Sequence, residues 1–209
     1  MLPSNNIEPL IIATFNPGKI REIQHFLEGL TFHSVGLEQL PGIPKYQEVG
    51  DSFDLIARQK ALYYSQFSKW LTLADDSGLE VDALDGQPGV HSARFLSESA
   101  SDEDRYREVL HRLSEIPDPQ RMARFICCLA LAREGEILGE FRGTLEGSIT
   151  REPRGNLGFG YDPIFLVPSW HRTIAELSIE EKEQISHRGK ALRTMRGYLL
   201  KNLEKGSQT

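Results

Sequence analysis

Cysteine is scarce in this chain, and the scarcity limits the kinds of protein it can be. The 209 residues contain two cysteines, Cys127 and Cys128, which are neighbours in the apolar run RFICCLALA. Adjacent residues of a strand point to opposite faces, so the pair offers neither a disulfide framework nor the spaced ligands of a zinc site. Because disulfide-free chains are the norm in reducing compartments, we predict a cytoplasmic location.

Long apolar runs are also missing. No run approaches the roughly 20 residues that a membrane-spanning helix needs, so no membrane partner is predicted. The first residues, MLPSNNIEPLIIA, lack the basic start and the long apolar core of a signal peptide. We therefore expect no secretory leader in this stretch.

An excess of positive charge is absent as well. Lys and Arg number 24 against 30 Asp and Glu, which gives a formal net charge of -6. A negative balance weakens attraction to the phosphates of long nucleic acids, so a DNA-binding or RNA-binding module is the least favoured hypothesis. If the protein binds phosphate, it should do so in a local basic pocket.

The sequence is typical of one globular α/β domain spanning residues 1–209. Its apolar fraction is 39% and its charged fraction is 26%, and strand-like and helix-like segments alternate without repeats or linkers. The predicted elements are a strand at 10–13 followed by a helix, a helix capped by Asp51 or Ser52 that runs to about Phe67, a strand from 70 that ends at Asp75 and Asp76 with a turn at 77–78, a helix capped by Ser101 and Asp104, strands within 124–149, a glycine-rich loop that leads into a strand within 153–167, and a final helix from about Ile179 that restarts near 186–190.

The segment ATFNPGKIREI (13–23) predicts an anion site at the start of a helix. Asn16 is a favoured N-cap, and Pro17 suits the first helical position because it lacks an N–H. Gly18 leaves the backbone open to a ligand, and Lys19 adds charge beside the positive end of the helix dipole. The Walker phosphate loop does not match, and an ordinary capped helix with a surface lysine is the alternative.

The segment LADDSGLEVDAL (73–84) predicts clustered carboxylates where a strand ends. Asp75 and Asp76 point opposite ways if extended, so one should reach a ligand while the other supports the backbone or a second metal position. Oxygen ligands suit Mg²⁺, which commonly binds one or two carboxylates together with substrate phosphates. The alternative is that Asp-Asp-Ser-Gly simply forms a turn.

Two later segments complete a nucleotide-binding inventory. In GNLGFGYDP (155–163), glycines surround Phe159 and Tyr161 and can expose an aromatic face to a planar ligand. The segment KEQISHRGKAL supplies basic side chains at a helix start, namely Lys182, His187, Arg188 and Lys190. Aromatic residues are often core and basic runs are often solvated, so neither segment is decisive alone.

In this order the motifs resemble those of the inosine triphosphate pyrophosphatase family. The matching segments are ATFNPGKIREI, LADDSGLEVDALDGQPGVHSARF, ITREPRGNLGFGYDPIF and ISHRGKAL, which lie between residues 13 and 192. The resemblance implies an elongated mixed central sheet flanked by helices, with a nucleotide-binding cleft between two lobes. It also implies a homodimer that uses Mg²⁺ to hydrolyse ITP, dITP and XTP to the monophosphate and pyrophosphate, removing deaminated purines from the nucleotide pool.

The resemblance also implies roles for single residues. Asp76 would be the catalytic carboxylate and would bind metal together with Glu48. The implied substrate-binding residues are Thr14, Phe15, Asn16, Pro17, Gly18, Lys19, Ser77, Phe159, Gly160, Tyr161, Asp162, Lys182, His187 and Arg188. One departure concerns the segment after EVGDSF, where the family often has Glu-Asn-Ala and this chain has Leu55, Ile56 and Ala57. That departure leaves the placement of Glu48 open.

Two alternative functions remain open at this point. One is a pyrophosphatase of related shape that acts on modified pyrimidine or standard triphosphates, as in the septum-formation inhibitor family. The Phe-Gly-Tyr-Asp and Ser-His-Arg motifs argue against it. The other is a nucleotide sensor without turnover, which the missing Asn near Ile56 favours slightly. A panel of triphosphates would distinguish the three.

Overall fold

The computed structural model describes residues 8–30, 32–40 and 42–206. Its strands are β1 (Glu8–Ala13), β2 (Phe32–Gly36), β3 (Leu71–Val81), β4 (Met122–Arg133), β5 (Glu136–Ile149), β6 (Phe165–Val167) and β7 (Arg172–Thr173). Within the described ranges these strands form one 7-stranded sheet in the order β2-β1-β3-β4-β5-β6-β7. β1 pairs parallel with β2 and β3, whereas β6 pairs antiparallel with β5 and β7. The predicted mixed sheet is therefore confirmed.

The α-helices of the described chain are α1 (Pro17–Leu27), α2 (Phe53–Ser65), α3 (Asp102–Arg112), α4 (Ile179–Ile185) and α5 (His187–Gly206). Polar side chains cap α1 to α4, namely Asn16, Ser52, Ser101 and Ser178. Each accepts a hydrogen bond from a backbone N–H that would otherwise have no partner in the first turn. The predicted caps at Asn16, Ser52 and Ser101 are confirmed, as is the restart of the last helix near Ser186. None of the helices that the structure describes has the length and apolar character needed to cross a membrane.

The contacts divide the chain into two compact units. The first unit comprises Met1–Asp76, Cys128–Arg142 and Ala191–Thr209, and the second comprises Ser77–Cys127 and Gly143–Lys190. The predicted cleft and the assignment of residues 1–209 to one domain stay predictions.

Each unit has its own buried core. In the first unit, Leu10, Ile11 and Ile12 of β1 are fully buried, as the continuous apolar run of a parallel strand requires. The core of the second unit is a cluster that includes Val109 from α3 and Phe165 from β6.

β3 is longer than the sequence predicts. We expected it to end at Asp75 and Asp76 with a turn after them, but the strand continues to Val81. It continues because Leu79 and Val81 are fully buried in the core of the second unit. Its parallel neighbour β1 ends at Ala13, which pairs with Ala74. Asp75 is therefore the first residue of β3 beyond the end of its neighbour, so the carboxylates still follow the end of a parallel strand pair.

Candidate active site

The turn between β1 and α1 forms the cap that its sequence predicts. The Asn16 side-chain oxygen Oδ1 accepts hydrogen bonds from the backbone N–H groups of Gly18, at 2.9 Å, and Lys19, at 3.0 Å. The N–H of Asn16 in turn donates to Thr14 Oγ1 at 3.2 Å. This network fixes the first turn of α1, whose dipole favours negative charge at this end. Phe15 is half-exposed beside it.

Lys19 pairs with the first of the two adjacent aspartates. Its Nζ lies 2.6 Å from Asp75 Oδ1, and the Asp75 side chain is fully buried. The register of β1 on β3 explains this contact, because it brings the residues that follow Ala13 level with those that follow Ala74. Asp75 therefore holds the lysine of the phosphate motif in position, while Asp76 points elsewhere.

Asp76 lies near Lys60, a residue that the sequence analysis missed. Lys60 Nζ donates to Glu48 Oε1 at 2.8 Å and to the Asp75 carbonyl at 3.0 Å, and it lies 3.8 Å from Asp76 Oδ1. The lysine is buried on the same side of α2 as Ile56 and Ala57. A lysine on the apolar side of a helix is uncommon unless it is paired, and that pattern is the signal that could have found it.

Asp76 is electrostatically unusual. Burial raises the pKa of its carboxyl from 3.8 to about 6, although Lys19 and Lys60 act in the opposite direction. Its Oδ2 atom is buried and accepts no hydrogen bond from any residue in the described ranges. A buried carboxylate oxygen without a donor is costly unless something else binds it, so this atom is available to a ligand.

The carboxylates of Glu48 and Asp76 fit a hard cation such as Mg²⁺. Both supply oxygen ligands, and the unsatisfied Oδ2 of Asp76 is a ready coordination position. No group of three or more His, Cys, Asp or Glu side chains suited to a metal occurs among the described residues. Glu48 and Asp76 could therefore supply two oxygen ligands to such a cation.

Tyrosines of α2 anchor the loop that carries Glu48. Tyr64 accepts a hydrogen bond at its hydroxyl from the Tyr46 backbone N–H at 2.9 Å, and Tyr63 donates its hydroxyl to the Pro44 carbonyl at 3.1 Å. Tyr46 also donates its hydroxyl to Gln59 at 2.8 Å. These bonds hold the loop against α2, and Glu48 of this loop reaches Lys60 although Ile56 on the same helix is apolar.

In the second unit, Asp162 organises the glycine-rich loop. Its Oδ2 accepts a hydrogen bond from the Phe159 N–H at 2.8 Å and another from Lys182 Nζ at 2.5 Å. Gly158 is required here, because its φ is +80° and a Cβ at this position would overlap the Asp162 carboxylate. Phe159 is partly exposed, with Lys182 Nζ 4.6 Å from its ring centroid.

Arg188 and His187 lie at the start of α5. The Arg188 guanidinium donates to Ser77 Oγ at 2.7 Å, and its Cζ lies 5.7 Å from the Phe159 ring centroid. The His187 ring stacks on Phe125 with a centroid distance of 4.8 Å and an interplanar angle of 13°. The predicted residues Ser77, Phe159, Lys182 and Arg188 are thus connected within this unit.

Tyr161 occupies a different environment from Phe159. Its side chain is buried in the core of the second unit, where its hydroxyl donates to the Ser92 carbonyl at 2.9 Å. Burial raises the pKa of this hydroxyl. Tyr161 therefore anchors the glycine-rich loop to the core of the second unit, whereas Phe159 is the partly exposed aromatic residue of the loop.

Comparisons with known proteins agree with the motifs. A sequence model of the Ham1 family matches residues 10–198. The dITP/XTP pyrophosphatase of Exiguobacterium sp. (strain ATCC BAA-1283 / AT1b) is 47% identical over 192 residues, which cover 91% of this chain and 96% of that protein. The dITP/XTP pyrophosphatase of Geobacter sulfurreducens is 45% identical over 190 residues, with coverage of 91% and 96%.

Solved structures give the same result. A HAM1 protein from Coxiella burnetii superposes with a TM-score of 0.83 at 39% identity and covers 93% of this chain and 99% of its own. The Ham1 protein of Staphylococcus aureus gives a TM-score of 0.82 at 36% identity, with coverage of 93% and 100%. The family resemblance inferred from the motifs is confirmed. This chain belongs to the Ham1 family.

Proposed function

We propose that the protein hydrolyses the noncanonical purine nucleoside triphosphates ITP, dITP and XTP to the monophosphate and pyrophosphate. The observation that carries the proposal is Asp76, a buried carboxylate of raised pKa with an unsatisfied oxygen, which lies 3.8 Å from Lys60 Nζ. Relatives named dITP/XTP pyrophosphatase support the substrate class. The physiological role would be removal of deaminated purines from the nucleotide pool.

The first turn of α1 would hold the triphosphate. Its capped N-terminus presents backbone N–H groups and the positive end of the helix dipole, and Lys19 adds a full charge. Because Asp75 already holds Lys19 in place, the lysine needs little rearrangement before it meets a phosphate oxygen. The same turn would contact the triphosphate through Thr14, Phe15, Pro17 and Gly18.

Asp76 would act on the attacking water. Its carboxylate accepts a proton as the water oxygen bonds to the α-phosphorus, while the bond from that phosphorus to the bridging oxygen breaks and pyrophosphate leaves. Without metal, this carboxyl has a pKa of about 6, so it is ionised at neutral pH and able to accept a proton. Mg²⁺ held by Glu48 and Asp76 would supply neutralisation of charge on the phosphate oxygens. Lys60 keeps the two carboxylates together.

The second unit would recognise the base. Phe159 offers a stacking surface, and Arg188 and Lys182 offer donors beside it. Hypoxanthine and xanthine carry an acceptor oxygen at position 6, whereas adenine carries an amine that would oppose a donor with a donor. Donor matching therefore disfavours ATP, while rejection of the 2-amino group of GTP requires the shape of the pocket. Ser77, Gly160, Asp162 and His187 would complete this part of the site.

The proposal includes a cytoplasmic homodimer that uses Mg²⁺ and binds neither membranes nor long nucleic acids. The net charge of -6 supports the absence of nucleic-acid binding, because a negative protein is repelled by the phosphate backbone of DNA and RNA. Two buried thiols and no disulfide accord with a reducing compartment. Sedimentation of the purified protein would test the dimer.

The decisive experiment measures pyrophosphate release from ITP, XTP, GTP and ATP, each with Mg²⁺ and with EDTA. We expect metal-dependent release from ITP and XTP far above that from GTP and ATP, with monophosphate as the second product. Release of inorganic phosphate and a diphosphate would instead show cleavage at a different bond. Nucleotide binding without any turnover would favour the sensor hypothesis.

A further inference from the structure

Two carboxylates from different parts of the second unit hold successive peptide groups of the glycine-rich loop. The Phe159 N–H donates to Asp162 Oδ2 at 2.8 Å, and the Gly160 N–H donates to Asp102 Oδ2 at 2.7 Å. The two N–H groups flank the Cα of Phe159. Together they fix the backbone orientation from which the aromatic ring projects.

Asp102 is itself held rigidly. It is the first residue of α3 and follows Ser101, which forms a reciprocal capping box with Asp104. Its other oxygen, Oδ1, accepts from the Arg105 guanidinium at 3.1 Å. Arg105 is mostly buried and also donates to the carbonyl of Ser97 at 3.4 Å. Asp102 Oδ2 is thereby aimed at the loop from a preorganised helix terminus.

The loop needs such an anchor because glycines flank the aromatic residue. Gly158 and Gly160 have φ values of +80° and +62°, in the left-handed region that favours glycine. Glycine loses more backbone freedom on ordering than any other residue, so a loop of this composition reaches many alternative conformations when its hydrogen bonds are removed. Asp162 restrains the loop at Phe159, and Asp102 restrains it one residue later.

We propose that Asp102 is a positioning residue for base recognition. It acts through the Gly160 N–H to keep the Phe159 ring in the orientation that receives the purine. This inference rests on the proposed function, in which Phe159 stacks on the base. Asp102 belongs to α3, which contributes none of the residues assigned above to substrate or metal.

The test compares Asp102→Ala with Asp102→Asn and with a matched control, Glu103→Ala. Glu103 is the next residue of α3 and pairs with the exposed Arg107, so its removal also takes a carboxylate from the first helical turn. Calorimetric titration would give the affinity of each variant for IMP, which carries the base, and for pyrophosphate, which does not. Steady-state kinetics with ITP and Mg²⁺ would be measured in parallel.

We expect Asp102→Ala to weaken IMP binding roughly tenfold, the effect of losing one charge-assisted hydrogen bond, and to leave pyrophosphate binding unchanged. KM for ITP should rise while kcat stays close to the wild-type value. Asp102→Asn keeps an acceptor oxygen and should restore most of the IMP affinity, and Glu103→Ala should match the wild type. Hydrogen exchange over residues 155–162 should accelerate in Asp102→Ala alone.

Phe159→Ala separates failure of this inference from failure of the proposed function. If Phe159→Ala weakens IMP binding and Asp102→Ala does not, the positioning role is wrong and base stacking stands. If Phe159→Ala itself leaves IMP affinity unchanged, the assignment of Phe159 to the base is wrong. Equal weakening of IMP and pyrophosphate binding by Asp102→Ala would indicate a general structural role and overturn the inference. The Asp102 side chain is 51% exposed, so we expect the variants to fold, and their melting temperatures verify it.

Discussion

Lys60 and Glu48 form an ion pair in which Nζ lies 2.8 Å from Oε1, and the lysine end of the pair is buried. The same ammonium lies 3.8 Å from Asp76 Oδ1. The Lys60 ammonium on α2 thus lies close to two carboxylates, Glu48 on a loop and Asp76 on β3. Its charge helps to set the protonation of Asp76, because it favours the ionised form of a nearby carboxyl.

Replacing Lys60 should therefore move the pH dependence of catalysis. Lys60→Met removes a charge that lowers the pKa of Asp76, so the pKa should rise above its present value of about 6. The acidic limb of kcat/KM should then shift to higher pH, as a profile from about pH 5 to pH 9 would reveal. Arg58→Met is the control, since Arg58 lies on the same helix and pairs with exposed Glu140. An unshifted profile in Lys60→Met would show that the lysine does not tune Asp76.

Asp76→Asn should remove most of the activity without unfolding the protein. Removal of the general base should lower kcat by about 10²–10⁴-fold with the fold intact. Pyrophosphate release from ITP with Mg²⁺ is the measurement, and Asp85→Asn, at an exposed turn position, is the control. Near-normal turnover by Asp76→Asn would remove Asp76 from the mechanism.

The stability effect of Asp76→Asn should depend on pH. The folded-state pKa of about 6 exceeds the ordinary 3.8, so the stabilising contribution of this carboxyl is complete below 3.8 and is lost as pH rises to about 6. At higher pH the buried charge costs about 3 kcal/mol, which an uncharged amide avoids. In EDTA, Asp76→Asn should therefore melt above the wild type at about pH 8, and the difference should shrink towards about pH 4. A difference independent of pH would contradict this account.

Tyr64→Phe should raise the Mg²⁺ concentration that the reaction requires. The substitution removes the hydroxyl that accepts from the Tyr46 N–H, which frees the loop that carries Glu48. We expect the Mg²⁺ concentration for half-maximal activity to rise several-fold, while KM for ITP at saturating Mg²⁺ changes less. Tyr198→Phe removes a hydroxyl that donates to the Leu138 carbonyl on the protein surface and should leave the Mg²⁺ response unchanged. Parallel responses of the two variants would rule out a specific role for the loop anchor.

Gly189→Ala should disrupt the start of α5. A Cβ at this position would overlap the Glu183 carbonyl of α4, so the two helices would have to separate and carry His187 and Arg188 with them. We expect a lower melting temperature and a marked loss of ITP turnover. Gly197→Ala is the matched control on the same helix, because its added Cβ meets nothing within 4 Å. There the change should stabilise the protein by roughly 0.5–1 kcal/mol, since alanine is the better helix former.

Features that depend on neighbouring residues were predictable from the sequence. The Asn16 cap and the Ser101–Asp104 capping box follow from side chains that bond within three residues. The opposite directions of Asp75 and Asp76 were predictable from the strand pattern. Which of the two meets Lys19 was not, because that depends on the register of β3 on β1. That register is set by burial across the sheet rather than by local pattern.

Contacts between distant positions were not predictable. Lys60 was missed because its partners, Glu48 and the Asp75 carbonyl, lie 12 and 15 residues away, on a loop and on a strand. The bond from Gly160 to Asp102 spans 58 residues and has no sequence signature. The continuation of β3 through Ser77 and Gly78 was missed because polar and glycine residues usually signal a turn, and the buried Leu79 and Val81 outweigh that signal.

The adjacent thiols of β4 give the molecule a pair of internal reporters. Cys127 and Cys128 are both buried, and burial raises the pKa of the Cys128 thiol, so neither should react with an alkylating reagent in the folded protein. Cys127 belongs to the second unit and Cys128 to the first. Because neighbouring residues of a strand face opposite ways, the alkylation rates of the Cys127→Ser and Cys128→Ser variants would report how often each face of β4 becomes exposed, without any added label.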